Sequence, residues 1–310
     1  MIKRERTDVK KDELMRYFFD RAGEAVRKIS DVLMEDIQEI RLRVNRPVSA
    51  TVMGAVRYIT DNGQLTYNPE SSVIVNEQTL RRSFEAVCQY SVHSFQSDIS
   101  EGFITLRGGH RVGICGTVIM RSGIAENVKN ISSLNFRIAR ETIGCADELC
   151  RRVFSDGLCS ILIAGAPASG KTTMLRDTAR ILGERYRTAV IDERGEIAAV
   201  MNGVPQNNVG INTDVFDGYD KPRGIMTAIR VMSPQIIICD EIGSSADFAA
   251  IRAAASSGVC IAASVHGANM DELKCKGINL NIFDKTVFLG TGSSLGKISD
   301  IVKRNEYEND

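Results

Sequence analysis

Tryptophan is absent, histidine occurs only three times, and neither sign of charge is in excess: 39 lysines and arginines face 39 aspartates and glutamates. A protein dedicated to duplex nucleic acid needs a cationic surplus to neutralise phosphates, and this chain has none. A single-strand binder needs exposed aromatic platforms. The missing tryptophan and the short tail Val302 to Asp310 speak against that too, so nucleic acid is not an expected partner. None of the eight cysteines forms a Cys-x-x-Cys pair, and with three histidines a zinc site is not expected. Cys115, Cys159, Cys239 and Cys260 lie in apolar runs, where a free thiol behaves as a small hydrophobe. That pattern points to a reducing compartment rather than a disulfide scaffold. Long apolar runs are also missing. Residues 236–239 and 259–265 are short beside the about 20 residues of a membrane-spanning helix. The charged start Met1-Ile2-Lys3-Arg4-Glu5-Arg6 has no apolar core and does not read as a secretory leader. A soluble chain, free to dock on a membrane complex, is expected.

What is present suits two domains. The chain has 310 residues, of which 43% are apolar, enough to bury a core in each half. Residues 1–150 read as an N-terminal α+β domain. Leu14, Phe18, Ala22, Ala25, Ile29 and Val32 recur at helical spacing and predict an amphipathic helix over 14–33. Residues 40–44 alternate as a half-buried strand limited by Pro47, with Arg41 and Arg43 on its solvated side. Leu80, Phe84 and Val87 mark a helix over 77–89. Residues 102–119 read as a hairpin about Gly108-Gly109, and 135–140 as a further strand. The boundary is expected within 141–156.

Residues 151–310 change character. Short apolar strands without alternation (161–164, 189–192, 236–240, 259–264) alternate with helices over 170–182, 224–231 and 246–255. Runs of this kind fit a parallel sheet covered on both faces. The expected fold class is α/β, with a smaller α+β domain ahead of it.

Between the first of these strands and its helix stands Gly165-Ala166-Pro167-Ala168-Ser169-Gly170-Lys171-Thr172, in the context a phosphate-binding loop requires. Glycines let the backbone wrap a phosphate chain, and the helix N-terminus aims unpaired N–H groups at it. Lys171 can reach β- and γ-phosphates, and the Thr172 hydroxyl can ligate Mg²⁺. ATP and Mg²⁺ are therefore the expected substrate and ion. Asp240-Glu241 ends an apolar strand at the carboxyl edge of the sheet, where ligands bind. One acid can orient the metal and the other can polarise water. Asp192-Glu193-Arg194-Gly195-Glu196 should reach the same edge, with Glu193 or Glu196 serving water or metal, or else forming an acidic helix start. His266 follows another strand there and can sense phosphate or bond the metal-site acid. His93 and His110 have no such context. Arg107, Arg111, Arg137, Arg140, Arg223 and Arg230 are candidates for a cation supplied in trans, and no sequence rule selects among them.

Taken in order, the loop 165–172, Ile191-Asp192-Glu193-Arg194-Gly195-Glu196-Ile197, the segment 233–243 and Ser264-Val265-His266 resemble the ATPases that power type II and type IV secretion systems. Segments 38–47, 109–116 and 230–235 resemble a sporulation-associated branch of that superfamily, over nearly the whole chain. The resemblance implies a RecA-like core and a ring homo-oligomer, a hexamer. It also implies a cytoplasmic location, docked on membrane protein components of a sporulation channel between mother cell and forespore. It assigns Gly165 through Thr173 to nucleotide, Glu241 to water activation, Glu193 or Glu196 to an acidic box, and His266 to a histidine box. Secretion ATPases usually carry glycine before that glutamate. Asp240 stands here instead, which leaves open how Asp240 and Glu241 divide metal binding and water activation. The leading expectation is an ATP hydrolase. The alternatives are a nucleotide-gated binder of RNA or single-stranded DNA, and a structural ring that binds ATP with negligible turnover.

Overall fold

The structure, a computed structural model, describes residues 5–6, 11–121 and 124–306. Residues 1–4 of the charged start and 307–310 of the tail lie outside the described residues. Two units are present: 11–140, and 141–306 joined by the strand Glu5–Arg6, which pairs antiparallel with Thr142–Ile143. The chain divides at Arg140/Glu141, so residues 141–150 lie with the second unit rather than with the first.

In the first unit, alternation produces an antiparallel sheet. Its strand order is Leu65–Thr66, Ala55–Ile59, Ser49–Val52, Ile37–Arg43, Ile124–Arg137, Arg111–Arg121, Phe103–Thr105. Ile40, Leu42, Ile104, Val112, Leu134 and Phe136 are buried on one face. Arg41 and Arg43, opposite Asn135 and Ser133, stand on the other. Arg41 bonds Glu39 at 2.9 Å, so it is ion-paired rather than simply solvated. The helix Glu77–Val87 is capped by Asn76, whose side chain accepts the Thr79 N–H at 2.7 Å, and it buries Leu80 and Val87.

The single helix expected over 14–33 is instead four pieces: Lys11–Leu14, a 3-10 turn Met15–Tyr17, Asp20–Arg27 and Asp31–Met34. Phe18 and Phe19 are extended, which brings the Phe18 ring to 4.4 Å from Phe136. Ser30 then accepts the Leu33 N–H at 3.3 Å and starts a new helix. Leu14, Phe18, Ala22, Ala25 and Ile29 are buried as their spacing requires, but Val32, past the break, is 78% exposed. The hairpin at 102–119 forms about Gly108 and Gly109, both at positive φ (77° and 76°) where a side chain would be strained. Its second strand runs on to Arg121 and pairs with most of Ile124–Arg137, a longer ribbon than the strand expected over 135–140. A register shift between Lys129 and Ser133 breaks the period that would have revealed it. Cys115 faces outward from this ribbon and is exposed, unlike the core position its apolar neighbours suggest.

His110 is buried behind the hairpin. Its Nδ1 accepts the Ala139 N–H at 3.0 Å, which puts the ring proton on Nε2. Nε2 has no hydrogen-bond partner among the described residues. Burial lowers its pKa from 6.5 to about 4. The unfolded chain takes up this proton near pH 6.5 and the folded chain only near 4. The ring's contribution, about 3 kcal/mol, is complete above 6.5 and is lost as pH falls through 4. Denaturation midpoints of the full chain should therefore fall across that window, and His110→Asn should flatten the slope. Equal slopes would show that other groups carry the acid sensitivity.

The main sheet of the second unit has seven strands among the described residues: β1 (Ile161–Gly165), β2 (Thr188–Asp192), β3 (Thr213–Asp217), β4 (Ile236–Cys239), β5 (Cys260–His266), β6 (Lys285–Leu289) and β7 (Ile298–Lys303). They lie in the order β3-β2-β4-β5-β1-β6-β7, all parallel except β7. β1, β2 and β4 are buried throughout, which explains their unbroken apolar runs. Helices α1 (Lys171–Gly183), α2 (Lys221–Val231) and α3 (Ser245–Ser256) connect them. A Ser244/Asp247 capping box starts α3. Cys239 is fully buried, and desolvation pushes its thiol up to about 12, so it acts as a core hydrophobe. No helix among the described residues is long and apolar enough to cross a membrane. The order inserts β5 between β1 and β4. The carboxyl ends of β1, β5, β4 and β2 therefore lie side by side at one edge, with Gly165 opposite His266 and Cys239 opposite Ala263.

Candidate nucleotide site

The glycine loop turns at that edge. Gly170 has φ 94°, and a Cβ at Gly165 would stand 2.5 Å from Ser169 Oγ, so neither position admits a side chain without movement. α1 then begins at Lys171 with no side-chain cap, which leaves its first N–H groups facing the loop. Pro167 and Ala168 are exposed at the tip, and Ala166 is half-buried. Thr173 lies in the first turn of α1, where its carbonyl accepts the Cys145 thiol at 3.5 Å. Ser169 Oγ is buried without a hydrogen-bond partner among the described residues. A buried hydroxyl and uncapped N–H groups converging on one loop fit an anionic phosphate chain.

Lys171 is 5% exposed. Its ammonium donates to Gly165 O at 3.0 Å, Ala166 O at 2.9 Å and His266 Nδ1 at 3.1 Å. Burial lowers its pKa, while the Asp240 and Glu241 carboxylates oppose that shift. An ammonium cannot accept, so Nδ1 of His266 is the acceptor and the ring proton is on Nε2. Nε2 reaches Glu241 Oε1 at 3.1 Å, and Arg194 Nη1 donates to Glu241 Oε2 at 2.6 Å. A chain of hydrogen bonds thus connects the loop lysine to the glutamate through the strand between them.

Asp240 is bonded from three sides. Thr172 Oγ1 donates to Oδ2 at 2.6 Å, the Glu241 N–H donates to Oδ1 at 3.0 Å, and the buried Ser264 hydroxyl also donates to Oδ1. Ser264 Oγ in turn accepts the Glu241 N–H at 2.9 Å. These contacts hold Glu241 at φ 47°, a conformation that costs a non-glycine residue about 1 kcal/mol or more.

The acidic segment after β2 is organised by Asp192. Its two oxygens accept the N–H groups of Glu196, Ile197, Ala198 and Ala199 at 2.8 to 3.3 Å. Bonds to a charged acceptor contribute about 1.5 to 3 kcal/mol each, so this loop is firmly folded. Asp192 has this anchoring part, which its place in the acidic run did not disclose. Glu193 is ion-paired to the nearly buried Lys221. The Glu196 carbonyl accepts Arg176 Nη2 at 2.6 Å. Glu193, Glu196, Asp240 and Glu241 line one cleft together with Arg194 and Lys221. Lys221 was not foreseen as part of the site. Its only sequence signal is the helix start Asp220-Lys221-Pro222, in which Asp220 caps the Arg223 N–H. Of the six arginines considered for action in trans, Arg223 lies 5.7 Å from the Tyr219 ring and Arg230 bonds its own helix at Met226 O. Arg111 lies over Phe103, and Arg140 bonds Ile37 O at 2.6 Å. Arg137 is exposed and Arg107 begins the hairpin turn.

A parallel sheet of this order, with a glycine loop opening into a helix and acids at the next strand ends, has the fold of the P-loop secretion ATPases. Among solved structures, the DotB ATPase of Yersinia pseudotuberculosis superposes with a TM-score of 0.58 at 15% identity, over 94% of this chain and 82% of that one. The pilus retraction motor PilT with bound ADP superposes with a TM-score of 0.55 at 13% identity, over 84% and 77%. At such identities the likeness is one of fold, and it is the fold class expected from the sequence.

The family described as sporulation stage III, protein AA, matches residues 10–307, and this chain belongs to it. Stage III sporulation protein AA of Bacillus subtilis (strain 168) is 32% identical over 292 residues, 91% of either chain.

Proposed function

We propose that this chain binds Mg-ATP at residues 165–173 and hydrolyses it to drive assembly or transport at a membrane-embedded sporulation channel. The observation that carries the reading is the hydrogen-bonded chain Lys171–His266–Glu241, with Thr172–Asp240 beside it, at the end of the glycine loop. The loop amides and Lys171 hold the phosphates. Thr172 and Asp240, already in contact, are the pair suited to hold Mg²⁺, which when bound neutralises charge on the phosphate oxygens. Glu241 accepts a proton from the attacking water, and the His266 Nε2–H keeps its carboxylate turned toward the site. The neutral tautomer of His266 suits this part, because Lys171 already supplies the local cation. Glu193 is held by Lys221. Glu193 and Glu196 both line the cleft, and either can serve water or metal as the acidic-box member. The family and the fold support a ring homo-oligomer, a hexamer, docked at the cytoplasmic face of a membrane complex.

Steady-state phosphate release by the purified chain tests the reading. Turnover is expected with Mg-ATP alone, and single-stranded RNA or DNA should leave it unchanged. Turnover seen only with nucleic acid would favour a nucleotide-gated nucleic-acid binder. Tight ATP binding with negligible release would favour a structural ring.

A further inference from the structure

Glu241 is fixed at both ends. Its backbone N–H is held by Asp240 and Ser264, and its carboxylate is gripped on two sides, by His266 at Oε1 and by Arg194 at Oε2. The terminal torsion of a glutamate is otherwise broad and two-fold, so gripping both oxygens selects one carboxylate plane. Two ionised oxygens offer about four lone-pair sites. Two donors leave the remainder open to water, and the group stays usable as a base. Arg194 is itself rooted in the loop that Asp192 pins by four backbone bonds, next to Glu193, which is tied to Lys221. Its guanidinium is 65% exposed. Exposed ion pairs add little to stability, so this contact contributes orientation more than folding energy.

We propose that Arg194 is a positioning residue: it sets the plane of the Glu241 carboxylate for proton abstraction, acting from the acidic loop of the same chain. The inference rests on the reading of the site as an ATP hydrolase. It is tested with wild type, Arg194→Ala, Arg194→Lys, Glu241→Gln and the Arg194→Ala/Glu241→Gln double variant. Mg-ATP affinity is measured by calorimetry and turnover by phosphate release and single-turnover hydrolysis. Arg194→Ala should bind Mg-ATP with nearly wild-type affinity, keep its denaturation midpoint and turn over about tenfold more slowly, because a misaligned base loses rate rather than binding. Arg194→Lys should recover part of the rate. In the Glu241→Gln background, Arg194→Ala should slow the reaction by less than about twofold, since two residues acting through one group are not additive. Wild-type or faster turnover by Arg194→Ala would overturn the proposal. So would a fall in its midpoint large enough to account for the lost rate, or a full further loss in the double variant. A wild-type chain that binds no Mg-ATP would instead overturn the hydrolase reading, and this inference with it.

Discussion

Lys171→Ala is expected to weaken Mg-ATP binding by about a hundredfold or more and to remove detectable turnover, the usual scale for truncating one partner of a buried charge pair. The lysine spans the site: it satisfies the carbonyls of Gly165 and Ala166 at the base of the loop and donates to His266 across the sheet. Its loss removes the cation meant for the phosphates. It also removes the donor that fixes the histidine tautomer. Calorimetry with Mg-ATP reads the first effect. Wild-type affinity in this variant would sink the phosphate-loop assignment.

Glu241→Gln should separate binding from chemistry. The amide is nearly isosteric but a poor proton acceptor, so turnover should fall by about a hundredfold or more while Mg-ATP still binds. ATP rather than ADP should then accumulate on the protein. A side-chain amide cannot present acceptors to His266 and Arg194 at once, so one of its two contacts must be lost. Asp240→Asn should behave differently. Asp240 accepts from Thr172, Ser264 and the Glu241 N–H, and the amide can retain only part of that set. Nucleotide affinity should fall along with the rate. Wild-type single-turnover hydrolysis by Glu241→Gln would move the base to Asp240, Glu193 or Glu196.

The second unit was the more legible half of the sequence. Buried parallel strands announce themselves as unbroken apolar runs, and the residues placed at their carboxyl ends (Lys171, Asp240, Glu241, His266) do lie at one edge. Pairings within the site were not legible. Arg194 meets Glu241 across 47 positions and Lys221 meets Glu193 across 28, and no local pattern encodes such contacts. Arg194 stands among acids in the sequence, and nothing in that run distinguishes it as a partner of Glu241. In the first unit the helical period over 14–33 was right about burial as far as Ile29, and wrong about Val32 and about continuity. Phe18 and Phe19 adopt extended backbone to seat one ring on Phe136, a tertiary preference that outweighs the helical period. The ribbon 124–137 was hidden by its bulge, which shifts the alternation it would otherwise show.

Glu5–Arg6 pairs with Thr142–Ile143, so the chain leaves the second unit after its sixth residue and re-enters it only at Glu141. During synthesis the first unit is contiguous and can form as it emerges, whereas the second begins with a strand whose partner has yet to be made. A fragment starting at residue 141 would contain every residue of the nucleotide loop, yet it would expose the edge that Glu5–Arg6 covers. Fusing residues 1–6 directly to 141–306 through a short flexible linker should restore that pairing at lower loop-closure cost than the native connection. It is the natural way to produce, alone, the half that carries the glycine loop.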